Sequence, residues 1–219
     1  MRRAKTIKNF IGALEIVYSL FLAAGLSNLL FRFEFTATYF SLLSISVLVI
    51  TRFFFAPSKN IEDLLNRINE KGRGYRLREL QFNLVVFCDV PILFIHAILF
   101  SIMCSFAARG NYFVYFQYFF WLLIVNSFWL FFIRYRANHV SKKGGHCRSK
   151  VFWAYNNLLS AGVMLLLLTK ISFLSYYLFN INIIYYLLFI IGFLNCLADL
   201  TTQYRTYLFH DKGEKSFYV

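Results

Sequence analysis

Charged residues are scarce in this chain: Asp, Glu, Lys and Arg make up 15% of it, against roughly 25% in an ordinary soluble domain. A soluble domain of this length needs enough polar side chains to cover its hydrophobic core. With 59% hydrophobic residues, the chain does not have them. The composition therefore excludes a soluble globular protein and predicts that lipid is the solvent for most of the surface.

Cysteine and proline are also rare, with four and two residues. Cys88, Cys104 and Cys196 lie in apolar stretches, whereas Cys147 lies in a polar one. Cysteines placed in this way do not form the framework of a disulfide-rich secreted protein. They are consistent with a reducing cytoplasmic side.

Motifs of several functional classes are missing. The chain has no glycine-rich phosphate-binding loop, no nucleophile elbow, no HExxH zinc motif and no TVGYG-type selectivity filter. We therefore expect neither enzymatic activity nor a bound cofactor or metal. The least favoured hypothesis is a membrane-bound enzyme, which would use Asp89 with His96, or Arg134 with His139.

The chain does have long apolar runs, which approach or exceed the roughly 20 residues that a membrane-spanning helix needs. They predict an all-α integral membrane protein, with one transmembrane domain over residues 1–219 and six spanning helices arranged as three hairpins. The predicted spans are residues 10–31, 37–55, 81–106, 113–133, 151–169 and 182–203.

The positions of the Lys and Arg residues predict the orientation. All but three of the 23 lie in segments on one side of the predicted spans, so both termini are expected to face the cytoplasm. The net charge of +13 is better explained by contact with anionic lipid headgroups than by a nucleic-acid partner. Four arginines at inner span ends are expected to reach the headgroups as a cytoplasmic interface: Arg52, Arg134, Arg136 and Arg205.

The largest predicted cytoplasmic segment, residues 58–74, has the pattern of an amphipathic helix. Its apolar residues Ile61, Leu64, Leu65 and Ile68 recur with helical spacing. A cytoplasmic helix is therefore predicted over about residues 60–71. It either connects two spans or provides a docking site for a protein partner.

Acidic and amide side chains are predicted to lie at one level, in the inner half of the membrane. At 1.5 Å per residue, Asp89 lies about 12 Å beyond the start of the third span. Glu15, Asn195 and Asp199 fall at similar depths in the first and sixth spans. Because a charge at the bilayer centre costs about 2.5–3.5 kcal/mol, such residues should face the bundle interior. Either they pair with inner arginines and serve packing, or they line a pathway for cations or protons.

The stretch FCDVPILFIH, residues 87–96, adds two features to this level. Pro91 has no N–H, so the carbonyl of Phe87 should lose its helical partner and the helix should bend there. Free carbonyls and the nearby Asp89 could form a cation or proton site, or the bend could simply be satisfied by a neighbouring helix. His96 lies on nearly the same face and could continue a proton relay.

The first and fourth spans differ in their small residues. Glu15, Ser19, Ala23 and Ser27 repeat every four residues along the first span, a spacing that allows close helix packing or could line a pore. The fourth span has almost no small residues, and we expect it to face lipid or form an outer layer. The first, third and sixth spans are then the expected functional core.

A length of 219 residues, six predicted spans and a polar stripe on the first helix together resemble the small bacterial relatives of the lysosomal potassium channel. The resemblance implies a tetramer whose first helices line the pore, in a bacterial plasma membrane. The first helix of that family carries Arg-x-x-x-Phe-Ser-Asp, whereas this chain has KNFIGALE at residues 8–15. No functional residue is therefore carried over from the family.

The leading hypothesis is a homo-oligomeric membrane protein that forms a cation or proton pathway. Its pathway residues would be Glu15, Ser19, Asp89, His96, Asn195 and Asp199, with Pro91 as a hinge. The alternative is a non-conducting partner that recruits or regulates another protein through its basic cytoplasmic face, for example as a membrane-disrupting effector in bacterial defence.

Overall fold

The computed structural model describes residues 2–31, 36–55, 85–140, 148–174 and 181–208. Within these ranges the chain forms six helices and no strand, which confirms the all-α class. The helices are α1 Arg2–Phe31, α2 Ala37–Ile50, α3 Val90–Ala107, α4 Tyr112–Val140, α5 Arg148–Leu174 and α6 Ile181–Leu208. A π-helical turn, Thr51–Phe55, continues α2, and a second, Val85–Asp89, leads into α3. The predicted amphipathic helix at 60–71 lies outside the described residues.

Four of the described helices are long and apolar enough to cross a membrane. Their apolar segments are Phe87–Ala107, Tyr112–Tyr135, Phe152–Lys170 and Ile183–Thr201. Two shorter apolar segments, Ile16–Phe31 and Thr38–Phe53, lie in α1 and at α2 with its π turn. The protein is thus a multi-pass membrane protein.

A tight turn at residues 108–111 makes α3 and α4 an antiparallel hairpin. Gly110 adopts a positive φ of 71°, a conformation that glycine adopts without the steric penalty of a Cβ. The amide of Ala108 donates to the carbonyl of Cys104, and the amide of Asn111 donates to the carbonyl of Phe106. The side chain of Asn111 then accepts from the amide of Val114 and caps the start of α4. Each end of the turn is therefore hydrogen-bonded.

Helix α4 packs extensively against both α3 and α5, so one side of it lies in the core. The expected position facing lipid or in an outer layer stays a prediction for the rest of its surface, where Trp121 is 53% and Phe128 68% exposed. Its bulky buried side chains fill the core. The space for them comes from neighbouring helices, because α4 has almost no small residues of its own. Its buried residues include Tyr115, Phe116, Phe119, Leu122, Leu123 and Trp129.

Two glycines on other helices provide close approaches. A Cβ at Gly192 of α6 would lie 2.6 Å from Cε1 of Phe119 on α4. A Cβ at Gly25 of α1 would lie 3.0 Å from the Cα of Ser101 on α3. In the first case a buried ring would have to move, and in the second the two helix backbones would have to separate.

We predict that Gly25→Ala and Gly192→Ala each destabilise the fold by about 1–3 kcal/mol, because overpacking displaces neighbouring atoms. Gly162→Ala is the matched control: nothing lies within 4 Å of its added Cβ, and alanine favours a helix over glycine. Thermal unfolding of the purified variants in detergent measures the difference. Equal melting temperatures for all three variants would contradict the close packing at Gly25 and Gly192.

Candidate functional site: two buried polar clusters

The first cluster is built around the guanidinium of Arg52, which is only 4% exposed. Its Nε lies 2.9 Å from Oδ2 of Asp199 on α6. One terminal nitrogen donates to Oδ1 of Asn195, also on α6. The other donates to Oδ1 of Asn157 on α5 at 2.6 Å. Three helices therefore meet at one side chain.

Two aromatic rings and a serine hydroxyl complete this arrangement. The guanidinium carbon of Arg52 lies 5.2 Å from the ring centroid of Phe53 and 5.7 Å from that of Trp153. Such contacts stabilise a cation through the ring quadrupole. The amide of Asn195 donates to Oγ of Ser160 at 2.8 Å. We call Arg52, Asn157, Ser160, Asn195 and Asp199 the arginine cluster.

The placement of Arg52 corrects one expectation from the sequence. An arginine among aromatic residues at a helix end was expected to reach the headgroups. The structure instead turns its side chain into the bundle, where one carboxylate and two amide oxygens accept from it. Pairing an acid with an inner arginine was one of the two alternatives for the polar residues, and Asp199 has such a partner.

The second cluster begins at Asp89, the last residue of the π turn that leads into α3. Its side chain is 1% exposed, and its Oδ1 accepts a hydrogen bond of 2.9 Å from Nε1 of Trp129 on α4. A buried carboxylate needs such donors, because burial removes the water that would otherwise solvate it.

Pro91 lies beside this carboxylate, in the first turn of α3. A missing N–H costs little in the first turn, where backbone donors have no partner within the α-helix. The change from π-helical to α-helical backbone falls immediately before it, at Val90. The side chain of Pro91 is exposed. The hinge assigned to Pro91 stays a prediction.

His96 lies two turns beyond Asp89 on α3 and is 1% exposed. Neither of its ring nitrogens has a hydrogen-bond partner among the described residues. Its ring centroid lies 5.4 Å from that of Phe53 and 6.2 Å from that of Trp129. We call Asp89, His96 and Trp129 the aspartate–histidine cluster.

The two clusters meet at residues 52 and 53 of the π turn Thr51–Phe55. Arg52 belongs to the arginine cluster, whereas the next residue, Phe53, contacts His96. The backbone carbonyl of Phe53 accepts a hydrogen bond of 2.8 Å from the hydroxyl of Tyr18 on α1. One turn of backbone thus contacts both groups of buried polar residues.

The remaining site residues predicted from the sequence are not part of either cluster as the structure describes them. Ser19 is half-buried on α1, and Arg134 is half-buried near the end of the apolar part of α4. Glu15, Arg136 and Arg205 lie on described helices, but their side chains are not among those described. The structure therefore brings together four of the six predicted pathway residues, in two clusters: Asn195 with Asp199, and Asp89 with His96 through Trp129.

Sequence reasoning missed Trp129, because α4 was expected to face lipid. The sequence did hold a signal: Asn126, Ser127 and Trp129 place three side chains with polar groups within four residues of an otherwise apolar run. The structure buries all three. A buried indole N–H usually finds an acceptor, so this run indicates a helix that faces a polar interior. Among the described residues, no group of three His, Cys, Asp or Glu side chains could hold a metal ion.

Comparison with known protein families, curated proteins and solved structures finds no match to this chain.

We predict that Arg52→Met destabilises the protein by about 3–5 kcal/mol, since it leaves Asp199 buried without its cation. The double variant Arg52→Met/Asp199→Leu should recover most of this loss, because a buried pair replaced by apolar side chains is often neutral. Thermal unfolding in detergent checks both. Arg109→Met, at the exposed turn after α3, is the control, and a loss as large there would contradict the prediction.

We predict a separate effect of Trp129→Phe, which removes the indole donor to Asp89 and keeps an aromatic ring. A hydrogen bond to a charged group contributes about 1.5–3 kcal/mol, so the unfolding free energy should fall by a similar amount. Trp121→Phe is the matched control, because Trp121 is 53% exposed on the same helix. Equal stabilities of the two variants would contradict a structural role for the Trp129–Asp89 bond.

Proposed function

We propose that the protein forms a proton pathway whose inner part consists of Asp89 and His96. The observation that carries this proposal is the unpartnered imidazole of His96, buried beside the indole that binds the Asp89 carboxylate. Ionisable residues inside a membrane are costly and commonly mark a proton or ion path. An imidazole has two ring nitrogens, so it can accept a proton at one and release a proton from the other with little movement.

Protons are favoured over hydrated metal cations for two reasons. Asp199 already has a cationic partner in Arg52, which weakens its attraction for a second cation. The outward face of α1 carries large apolar residues, with Ile16 65% and Leu20 63% exposed, whereas a water-filled pore lined by α1 would need polar ones. A proton can instead pass between titratable groups of one packed bundle.

The topology that accompanies this proposal has six spans, with both termini in the cytoplasm of a bacterial cell. Residues Ala37–Phe55, α2 with its π turn, measure about 28 Å at 1.5 Å per residue, close to the thickness of a hydrocarbon core of about 30 Å. Helices α1 and α2 pack against α3 and α6, which are long enough to span. The uneven distribution of Lys and Arg supports the orientation.

A homo-oligomer belongs to the same proposal, without the α1-lined pore that the resemblance to relatives of the lysosomal potassium channel implies. The exposed apolar residues of α1 suit contact with lipid or with a second copy. Anionic headgroups would contact the basic cytoplasmic segments.

A second candidate is a non-conducting membrane protein that recruits a cytoplasmic partner. The observation that favours it is the arginine cluster, because an ion pair with its hydrogen bonds made between three helices can serve packing alone. The segment 58–74, together with the basic cytoplasmic face, would then carry the function, and deletion of the segment should abolish partner binding without unfolding the bundle.

We predict that the purified protein in liposomes carries protons faster than empty liposomes do, in response to an imposed pH gradient or voltage. Asp89→Asn should lower this flux to the level of empty liposomes, because the amide cannot take up a proton. An internal pH-sensitive dye reports the proton flux, and a potassium-sensitive dye reports potassium in parallel.

The control for that measurement is Asp211→Asn, the same change in the segment after α6, which should leave the flux unchanged. No proton flux in the wild-type protein would overturn the pathway. Equal flux in Asp89→Asn would remove Asp89 from it, and potassium flux of comparable size would favour a cation pore.

A further inference from the structure

The ring of Phe53 contacts two groups that can both carry positive charge. Its centroid lies 5.2 Å from the guanidinium carbon of Arg52 and 5.4 Å from the ring centroid of His96. Phe53 is 2% exposed, so water does not screen this site well. Two positive charges in contact with one buried ring would repel each other far more strongly than they would in water.

The charged and titratable groups around His96 come from several helices. Helix α1 contributes the Tyr18 hydroxyl on the Phe53 carbonyl. The π turn before α3 contributes Asp89, through the indole of Trp129 on α4. Arg52 approaches from the π turn after α2, balanced by Asp199 on α6. Helix α5 contributes neutral groups, Asn157 and Trp153, which contact Arg52.

Resting on the proposed function, we propose that proton binding at His96 is coupled to the Arg52–Asp199 ion pair. A proton on His96 repels Arg52 and attracts Asp199, and thereby weakens the contacts that hold the π turn to α5 and α6. By thermodynamic linkage, the charge balance of the ion pair sets how readily His96 takes up a proton. Proton passage would then alter the packing of helices and not only the charge of one side chain.

The coupling predicts changes of opposite sign. Asp199→Asn leaves the charge of Arg52 unbalanced, so the proton-binding constant of His96 should fall about tenfold, within the range usual for coupled sites. Arg52→Gln leaves the charge of Asp199 unbalanced, so the constant should rise by a similar factor. Arg52→Gln/Asp199→Asn removes both charges and should return the constant to within about twofold of wild type.

The measurement is nitrogen NMR of protein labelled at its four histidines, in detergent, over the pH range in which each variant stays folded. The His96 signal is identified by its loss in His96→Asn. Arg109→Gln removes a charge at the exposed turn between α3 and α4 and should leave the His96 signal unchanged. If one single variant does not fold, the other still gives the direction of the change in the proton-binding constant of His96. The double variant still shows whether the constant returns to the wild-type value.

The coupling is supported if the proton-binding constant of His96 changes in opposite directions in the two single variants and returns to the wild-type value in the double variant. Changes of the same sign, no change, or a His96 that stays neutral in every variant would overturn it. The NMR measurement needs no transport, so it tests the coupling separately from the proposed function. Proton flux without the opposite changes at His96 overturns the coupling alone. The pattern in a protein that carries no protons overturns the pathway alone.

Discussion

The charge of Arg52 is the constraint on which much of this end of the bundle depends. A guanidinium that leaves water for an apolar interior has to recover its solvation from protein groups. Here a carboxylate and two amide oxygens come from α5 and α6, and two aromatic rings lie against the cation. The relative positions of α2, α5 and α6 near this residue follow from that need.

The π turn Thr51–Phe55 and the aromatic side chains of α4 are related to the same constraint. The turn places Arg52 among its acceptors and Phe53 against His96. Trp129 then occupies the space between α3 and α4 and supplies a donor to Asp89. The bulky residues of α4 are accommodated where α6 has Gly192, whose missing side chain leaves room for Phe119. Apolar packing and polar contacts therefore support each other in one interior.

Much of the helical plan could be predicted from the sequence, because apolar runs of spanning length are a strong local signal. The same reasoning expected Asp89, Asn195 and Asp199 at one level in the inner half of the membrane, and the structure places the last two around one arginine. The inward turn of Arg52 could not be predicted in this way. An arginine at the end of an apolar helix has the same local pattern whether it reaches headgroups or an acid, and its amide partners lie 105 and 143 residues away.

Trp129 illustrates a second limit. Helix α4 is apolar on all sides, and such a helix suits both a lipid-facing position and a buried one. Its position between α3 and α5 depends on the shapes of those two helices, which no pattern within α4 records. The glycines that admit its side chains lie on other helices, so their role becomes visible only in three dimensions.

The sequence separation within the arginine cluster also has a consequence for how the protein is made. Arg52 is synthesised 105 residues before Asn157 and 143 before Asn195, so α2 is complete long before its acceptors exist. Until α5 and α6 emerge, the cation has no partner in the cluster, and long side chains of this kind reach for the interface. The full set of contacts of Arg52 can therefore form only late in biogenesis, after α6 has entered the membrane.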